Sequence, residues 1–236
     1  MKVIKIKCYQ NMVNYKRLGF NEIWQSFPLP PYSSIIGMIH KACGFTEYKE
    51  MFISVQGESA NSHYGLFTKY SFAKGETKFN KDSFKGIGNA ELLIDVQLII
   101  HVYTKDEELF NFIYDKLNKP DDYLALGRHE DILRIDSVDI VDVKKAKKID
   151  LEYSAYIPIK YLKYKVNTSY HGTTYIINKQ FFIEEKNGIK IRKWDKENGK
   201  INVKYMRPSE TRIEVDDNIF GIFVEDDDNE LGVFLA

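Results

Sequence analysis

The chain has 236 residues, enough for one large domain or two small ones, and either can bury a sizeable core. Its 34 Lys and Arg balance 34 Asp and Glu, and 14% of it is aromatic, the composition of an ordinary globular protein. No apolar run approaches the roughly 18 residues of a membrane-spanning helix, which excludes one.

Residues 3 to 9 alternate, with Ile4, Ile6 and Cys8 on one face and Lys5, Lys7 and Tyr9 on the other, the pattern of a strand rather than the apolar core of a signal peptide. Cys8 and Cys43 stand far apart and form no Cys-x-x-Cys, so both read as buried thiols in a reducing compartment. A cytoplasmic location with no membrane partner is expected.

A polar link (11–25) containing Tyr15-Lys16-Arg17 leads to Phe27-Pro-Leu-Pro-Pro-Tyr-Ser-Ser-Ile-Ile-Gly-Met-Ile-His-Lys-Ala-Cys-Gly44. The two prolines enforce an extended entry. Ser33 and Ser34 are N-cap types, and Gly44 suits the position past a helix end. Ile35, Ile36, Ile39, Ala42 and Cys43 form one apolar face between them. Gly37 interrupts the other face, one turn before Lys41. A mid-helix glycine marks either tight packing of another element or a ligand that must approach the backbone, and a hydroxyl-lined helix N-terminus suits a phosphate chain.

A strand near 51–56 precedes a Gly-, Ser-, Asn- and Lys-rich excursion over 57–90. It interleaves bases and rings: His63, Tyr64, Lys69, Tyr70, Phe72, Lys74, Lys78, Phe79, Lys81, Phe84 and Lys85. Lysines on phosphates and rings on bases suit single-stranded RNA, and a hairpin with packed rings and solvated lysines has the same composition. Leu92, Ile94, Val96, Leu98, Ile100 and Val102 then alternate as a half-buried strand. Thr104 to Glu107 has capping-box spacing, and Leu109, Phe110, Ile113 and Leu117 stripe a second helix that Pro120 ends. A turn at Leu126-Gly127-Arg128-His129 sets a forked donor, suited to phosphate or carboxylate, before a strand over 132–143 whose alternation slips once. Strand, helix, strand, strand, helix, strand is the order of an α+β, ferredoxin-like split βαβ domain, with 57–90 in its β2–β3 hairpin.

The basic link 144–148 reads as a boundary, giving a first domain over 1–148 and a small antiparallel β-domain over 149–236, in which Asn187-Gly188 and Asn198-Gly199 signal hairpins. Residues 214–236 carry eight acids and no base, leaving 34 bases against 26 acids in 1–213, a balance that suggests a polyanion surface on the body. The five histidines show no metal-ligand spacing, and no cofactor motif is present. A metal-independent nuclease would need a His or Lys beside a Tyr; His40-Lys41 and Tyr170-His171 supply the types without showing that they meet.

The stretch from Phe27 to Gly44 resembles the N-terminal motif of CRISPR-associated protein 5, and Leu126-Gly-Arg-x-Glu130 resembles that family's second glycine–arginine motif. The form most resembled is that of type I-B systems. The resemblance implies a non-catalytic subunit of the Cascade surveillance complex that caps the 5′ handle of CRISPR RNA, beside the large subunit and a backbone subunit, and meets target DNA indirectly. Residues 57–90 would correspond to the family's thumb. Tyr15, Lys16, Arg17, Ser33, Ser34, Lys41 and Arg128 would hold the handle, and Lys69, Lys74, Lys78 and Lys81 would follow the strand. The runner-up, drawn from the type I-C branch, is an endoribonuclease acting on precursor CRISPR RNA. An acidic C-terminal tail facing a protein partner is a further expectation.

Overall fold

The computed structural model describes residues 1–17, 19, 23–71, 84–162, 172–186, 188–208, 212–214, 220–227 and 230–236. The alternation of β1 (Lys2–Val13) sends Ile4, Ile6 and Cys8 into the core, as a period of two requires. A two-residue strand, β2 (Ile23–Trp24), precedes α1 (Tyr32–Cys43), which buries the whole expected stripe, Ile35, Ile36, Ile39, Ala42 and Cys43. Gly44 ends it in the left-handed region at φ 68°. β3 (Phe52–Ser71) and β4 (Phe84–Tyr103) make one long antiparallel hairpin, paired from Phe52 with Tyr103 out to Ser71 with Phe84.

α2 (Glu107–Asn118) buries Phe110, Ile113 and Leu117. Its cap is Asp106 rather than Thr104: the carboxylate accepts from the Glu108 and Leu109 amides at 2.9 and 3.2 Å, while the Thr104 hydroxyl donates to the Asp106 carbonyl. A carboxylate at that place both satisfies orphan amides and meets the positive end of the helix dipole. β5 (Arg134–Lys144) pairs with β1, and the register shifts between Lys7 and Cys8, a bulge matching the slip in its alternation.

The strands β5, β1, β4 and β3 are neighbours in that order, each pair antiparallel, with α1 connecting β1 to β3 and α2 connecting β4 to β5. Both helices share one core with Ile4, Ile6, Val55, Leu98, Ile100 and Val138 from one sheet face. Along β4 the alternation holds from Val96 to Val102. At Asp95, where φ is 52°, its phase slips, so Leu93 enters the core while Leu92 and Ile94 stay half-buried. The sequence pattern alone places Leu92 and Ile94 inside; a left-handed Asp, which its short polar side chain tolerates, re-aims them.

The remaining strands are β6 (Lys148–Asp150), β7 (Ser154–Pro158), β8 (Thr173–Asn178), β9 (Phe181–Lys186), β10 (Ile189–Trp194), β11 (Lys200–Met206), β12 (Arg212–Glu214), β13 (Ile222–Glu225) and β14 (Gly232–Phe234). β7, β11 and β8 extend the main sheet beyond β3, and β13 and β14 extend it beyond β5. Hydrogen bonds thus cross the boundary expected near residue 148, and Tyr156, Ile177 and Val203 lie in the same core as the helices. β9 and β10 form a separate ribbon closed at Gly188, as its Asn-Gly signal requires. The second Asn-Gly, at 198–199, makes a turn held by Asp195 but joins no hairpin, since β10 pairs β9 and β11 pairs β7 and β8.

The described acids Glu225, Asp226 and Glu230 of the C-terminal segment are paired with bases. Glu225 is 1% exposed and bridges Lys5 and His101 at 2.6 Å each, on the sheet face away from the helices. Lys144 holds both Asp226 and Glu230 at 3.0 Å. These acids therefore neutralise bases from residues 1–148, which is why the charge asymmetry read from the sequence does not persist as a separate acidic surface among the described residues.

Candidate nucleic-acid interface

The buried stripe of α1 fixes which of its faces looks outward. Ser33, Gly37 and Lys41 follow one another at the four-residue spacing of a helix ridge and line a groove of about 920 Å³. The helix begins one residue before the serines: Pro31, extended at φ −60° and ψ 147°, is the N-cap, and no side chain caps the end. Its carbonyl accepts from the Ser34 and Ile35 amides at 2.9 and 3.3 Å. Ser33 and Ser34, expected as caps, are instead half-buried first-turn residues whose hydroxyls line the groove. An added Cβ at Gly37 meets nothing within 4 Å, so this glycine admits no packed element and leaves backbone bare toward the groove. Gly37 also lines a second hollow of about 640 Å³ under Phe182 and Ile183. Lys41 is 69% exposed and its ammonium stands 3.5 Å from Asp122.

A second wall comes from the link after β1. Lys16 is bridged to Ser26, and its ammonium lies 3.8 Å from the centre of the Trp24 ring. Arg17 donates to Gln25 Oε1 at 3.3 Å and sits over Phe27 and Tyr175 at 5.7 and 5.5 Å. Tyr15 does not join them. It is 1% exposed in the core, with its hydroxyl donating to Gln10 Oε1 at 2.7 Å, in a run of three buried residues that begins at Val13. Tyr15 supports the neighbouring bases and presents no surface to a ligand.

The third wall is the loop before β5. Gly127, at φ 115°, lets the chain turn where a Cβ would fall 2.7 Å from Val13 and 2.8 Å from the Asp131 carboxylate. Arg128 is committed inward: its guanidinium grips Asp131 at 2.7 Å and Glu130 at 3.0 Å, and Asp131 also accepts from the Arg128 and Asn14 amides. Of the phosphate and carboxylate ligands its turn suits, the fork has a carboxylate from its own loop. Gly127 and His129 reach the groove on either side of it. Arg128→Met is expected to lower the unfolding free energy by about 2 kcal/mol in a urea titration, whereas an arginine serving only as an RNA ligand would leave stability unchanged.

Sequence reasoning missed the fourth wall. Tyr175 of β8, Phe181 and Trp194 of the β9–β10 ribbon, and Lys200 of β11 close the groove, with Tyr123, 89% exposed, on the loop side. Phe181 and Trp194 meet edge to face at 6.4 Å. The groove thus gathers Lys16, Arg17, Lys41, Lys200 and several rings, and no Asp or Glu is among the described residues that line it. Four cations and two hydroxyls without an acid suit a polyanion backbone, and rings at that spacing suit bases turned out of a stack.

The β3–β4 hairpin continues outward as an arm, rooted where Trp24 packs on Phe67 at 4.3 Å between ring centres. Lys69 lies on β3 within that arm, but its side chain is outside the described residues, as are Lys74, Lys78 and Lys81 entirely. Of the candidate acid–base groups, His40 is half-buried and its imidazole is shifted down by burial, with Nε2 accepting the Lys49 amide at 3.4 Å. Tyr170 and His171 lie outside the described residues. No cluster of metal-ligating side chains occurs among the described residues, and no helix among them is long and apolar enough to cross a membrane.

Fold and site together define a mostly β, α+β protein with a cationic and aromatic groove across its first helix, whose described lining residues include no Asp or Glu. No family model and no curated protein matches the chain. Among solved structures its likeness is to CRISPR-associated proteins. A chain of a structure described as a CRISPR RNA-guided surveillance complex shares the fold at TM-score 0.57 and 14% identity, over 87% of this chain and 90% of that one. A CRISPR protein from Archaeoglobus fulgidus aligns over 100% of both chains at 12% identity and TM-score 0.49.

Proposed function

We propose that this chain is a non-catalytic subunit of a CRISPR RNA-guided complex, of the CRISPR-associated protein 5 kind, that caps the 5′ handle of the CRISPR RNA. The β5–β1–β4–β3 order with its two crossover helices supports a ferredoxin-like split βαβ reading of this part of the chain. The groove, with no acid among its described lining residues, carries the assignment: Ser33, Ser34, Lys16 and Lys41 take the phosphates, while Tyr175, Phe181 and Trp194 receive splayed bases. The arm of β3 and β4 lies over the strand, and the backbone and large subunits of a Cascade-type assembly in the cytoplasm are the protein partners.

Anisotropy titration of labelled handle RNA in EDTA, followed by recovery of the RNA, tests this. Intact RNA with handle-dependent affinity is the expected result. Lys16→Met combined with Lys41→Met is expected to reduce the slope of log K against log salt by about 1.4, two phosphate contacts on a single strand. Site-specific cutting would establish the endoribonuclease instead, and absence of handle-dependent binding at moderate salt would leave only a protein-interaction module.

A further inference from the structure

Beyond the rim of the groove at Lys200 lies a third cavity, of about 400 Å³, to which Lys200 also belongs. Lys179 lines it and is only 8% exposed, with its ammonium 4.9 Å from the centre of the Phe52 ring. Lys160 joins it there, over the Tyr161 ring at 4.8 Å. Among the described residues no carboxylate lies within ion-pair distance of Lys160, Lys179 or Lys200. Glu50 and Glu197 also line the cavity, and Glu50 pairs at 3.7 Å with Lys105, whose ammonium is itself 5.4 Å from the Phe52 ring.

Buried charges in folded proteins are paired, because an ion taken from water without a counter-ion costs several kcal/mol. Lys179 has a ring face and, among the described residues, no carboxylate within ion-pair distance; the charge of Glu50 across the cavity offsets its burial only in part. Burial, and then the charge of Lys160, pull its amine down to about 8, so it stands ready to regain its full charge beside an anion. Burial lowers Lys160 as well. Three point-charge donors around one hollow suit a compact oxyanion, and Lys200 sits where a strand leaving the groove would pass.

We propose that the cavity bounded by Lys160, Lys179 and Lys200 binds a phosphate group, that of the RNA strand as it leaves the groove. The chemistry is that of any phosphate; the assignment to the strand rests on the RNA-binding reading given above. The full-length chain, its lysines ¹³C-methylated, is titrated with inorganic phosphate, with a short RNA that fills the groove, and with the same RNA extended. Phosphate is expected to move the Lys179 and Lys160 resonances, identified by their loss in Lys179→Met and Lys160→Met. Extended RNA is expected to move them too, the short RNA not. Lys179→Met, which keeps the buried stem, is expected to weaken extended RNA by roughly 3- to 10-fold and leave the short one unchanged. Resonances that respond to phosphate but not to extended RNA would uphold the anion site and overturn the strand as its source. Failure of both probes to move them overturns the site. A chain that binds no handle RNA yet responds to phosphate would sink the proposed function while the cavity assignment stands.

Discussion

Replacing Glu225 by Ala is expected to lower the unfolding free energy by about 3–5 kcal/mol, the cost of stranding a buried partner. For a chain of this size that is roughly a 10 °C fall in Tm. The carboxylate ties β13 to both central strands, through Lys5 on β1 and His101 on β4. His101 is fully buried, and its Nδ1 has no hydrogen-bond partner among the described residues. Burial lowers the imidazole more than the Glu225 carboxylate raises it, so the ring is neutral and donates Nε2–H to Glu225. Burial raises the Glu225 carboxyl, but the His101 and Lys5 hydrogen bonds outweigh it and hold it at about 2. A carboxyl below its unfolded value stabilises the fold above about pH 4.3, and that contribution is lost as pH falls toward 2. His101, also depressed, begins to cost stability as pH falls below about 6.5, because only the unfolded chain takes up its proton. Stability should therefore decline steadily from neutral pH downward. Glu225→Gln should flatten the part of that decline below about pH 4.5. Urea titrations from neutral to acid pH measure both effects. A Glu225→Ala chain melting within a degree or two of the parent would mean that the buried triad is dispensable.

What could be read in the chain beforehand was local. The strands β1 and β4 and the apolar face of α1 follow from periods of 2 and 3.6, which depend on near neighbours only. Departures were local too: Pro31 displaces the serines as cap, Asp106 displaces Thr104, and Asp95 slips the phase of β4. Arg128 is legible in the sequence as a donor on a tight turn, and its partner Asp131 lies only three residues on, a spacing that marks the pair as structural. Half of the groove had no such signal. Tyr175, Trp194 and Lys200 reach α1 only because β8 and β11 extend the sheet past β3 and the β9–β10 ribbon turns back. That is a consequence of long-range pairing, which periodicity does not encode. The burial of Glu225 escaped for the same reason: a run of acids reads as solvated unless its bases, far earlier in the chain, are known to stand opposite.

Gly37→Glu is expected to separate stability from binding more sharply than any other single change. In helix terms the substitution is favourable. It removes a glycine that costs about 0.5–1 kcal/mol, the new Cβ meets no atom within 4 Å, and the new carboxylate stands four residues before Lys41, the better orientation for an ion pair. Thermal stability should be unchanged or slightly higher. The groove, by contrast, acquires its first acid among the described lining residues, placed between Ser33 and Lys41 on the ridge assigned to phosphate. Repulsion of the strand and capture of Lys41 act together, and a loss of RNA affinity of about 10- to 100-fold is expected, or roughly 1.4–3 kcal/mol. Gly37→Ala sorts the remaining possibilities. If it stabilises the helix and binds as the parent does, the strand stays clear of the backbone; if it stabilises the helix yet loses affinity, the RNA approaches within contact distance of residue 37. A Gly37→Glu protein that keeps full affinity for the handle would remove the outward face of α1 from the interface, because no rearrangement of long, exposed lysines can hide a charge fixed that close to a helix axis.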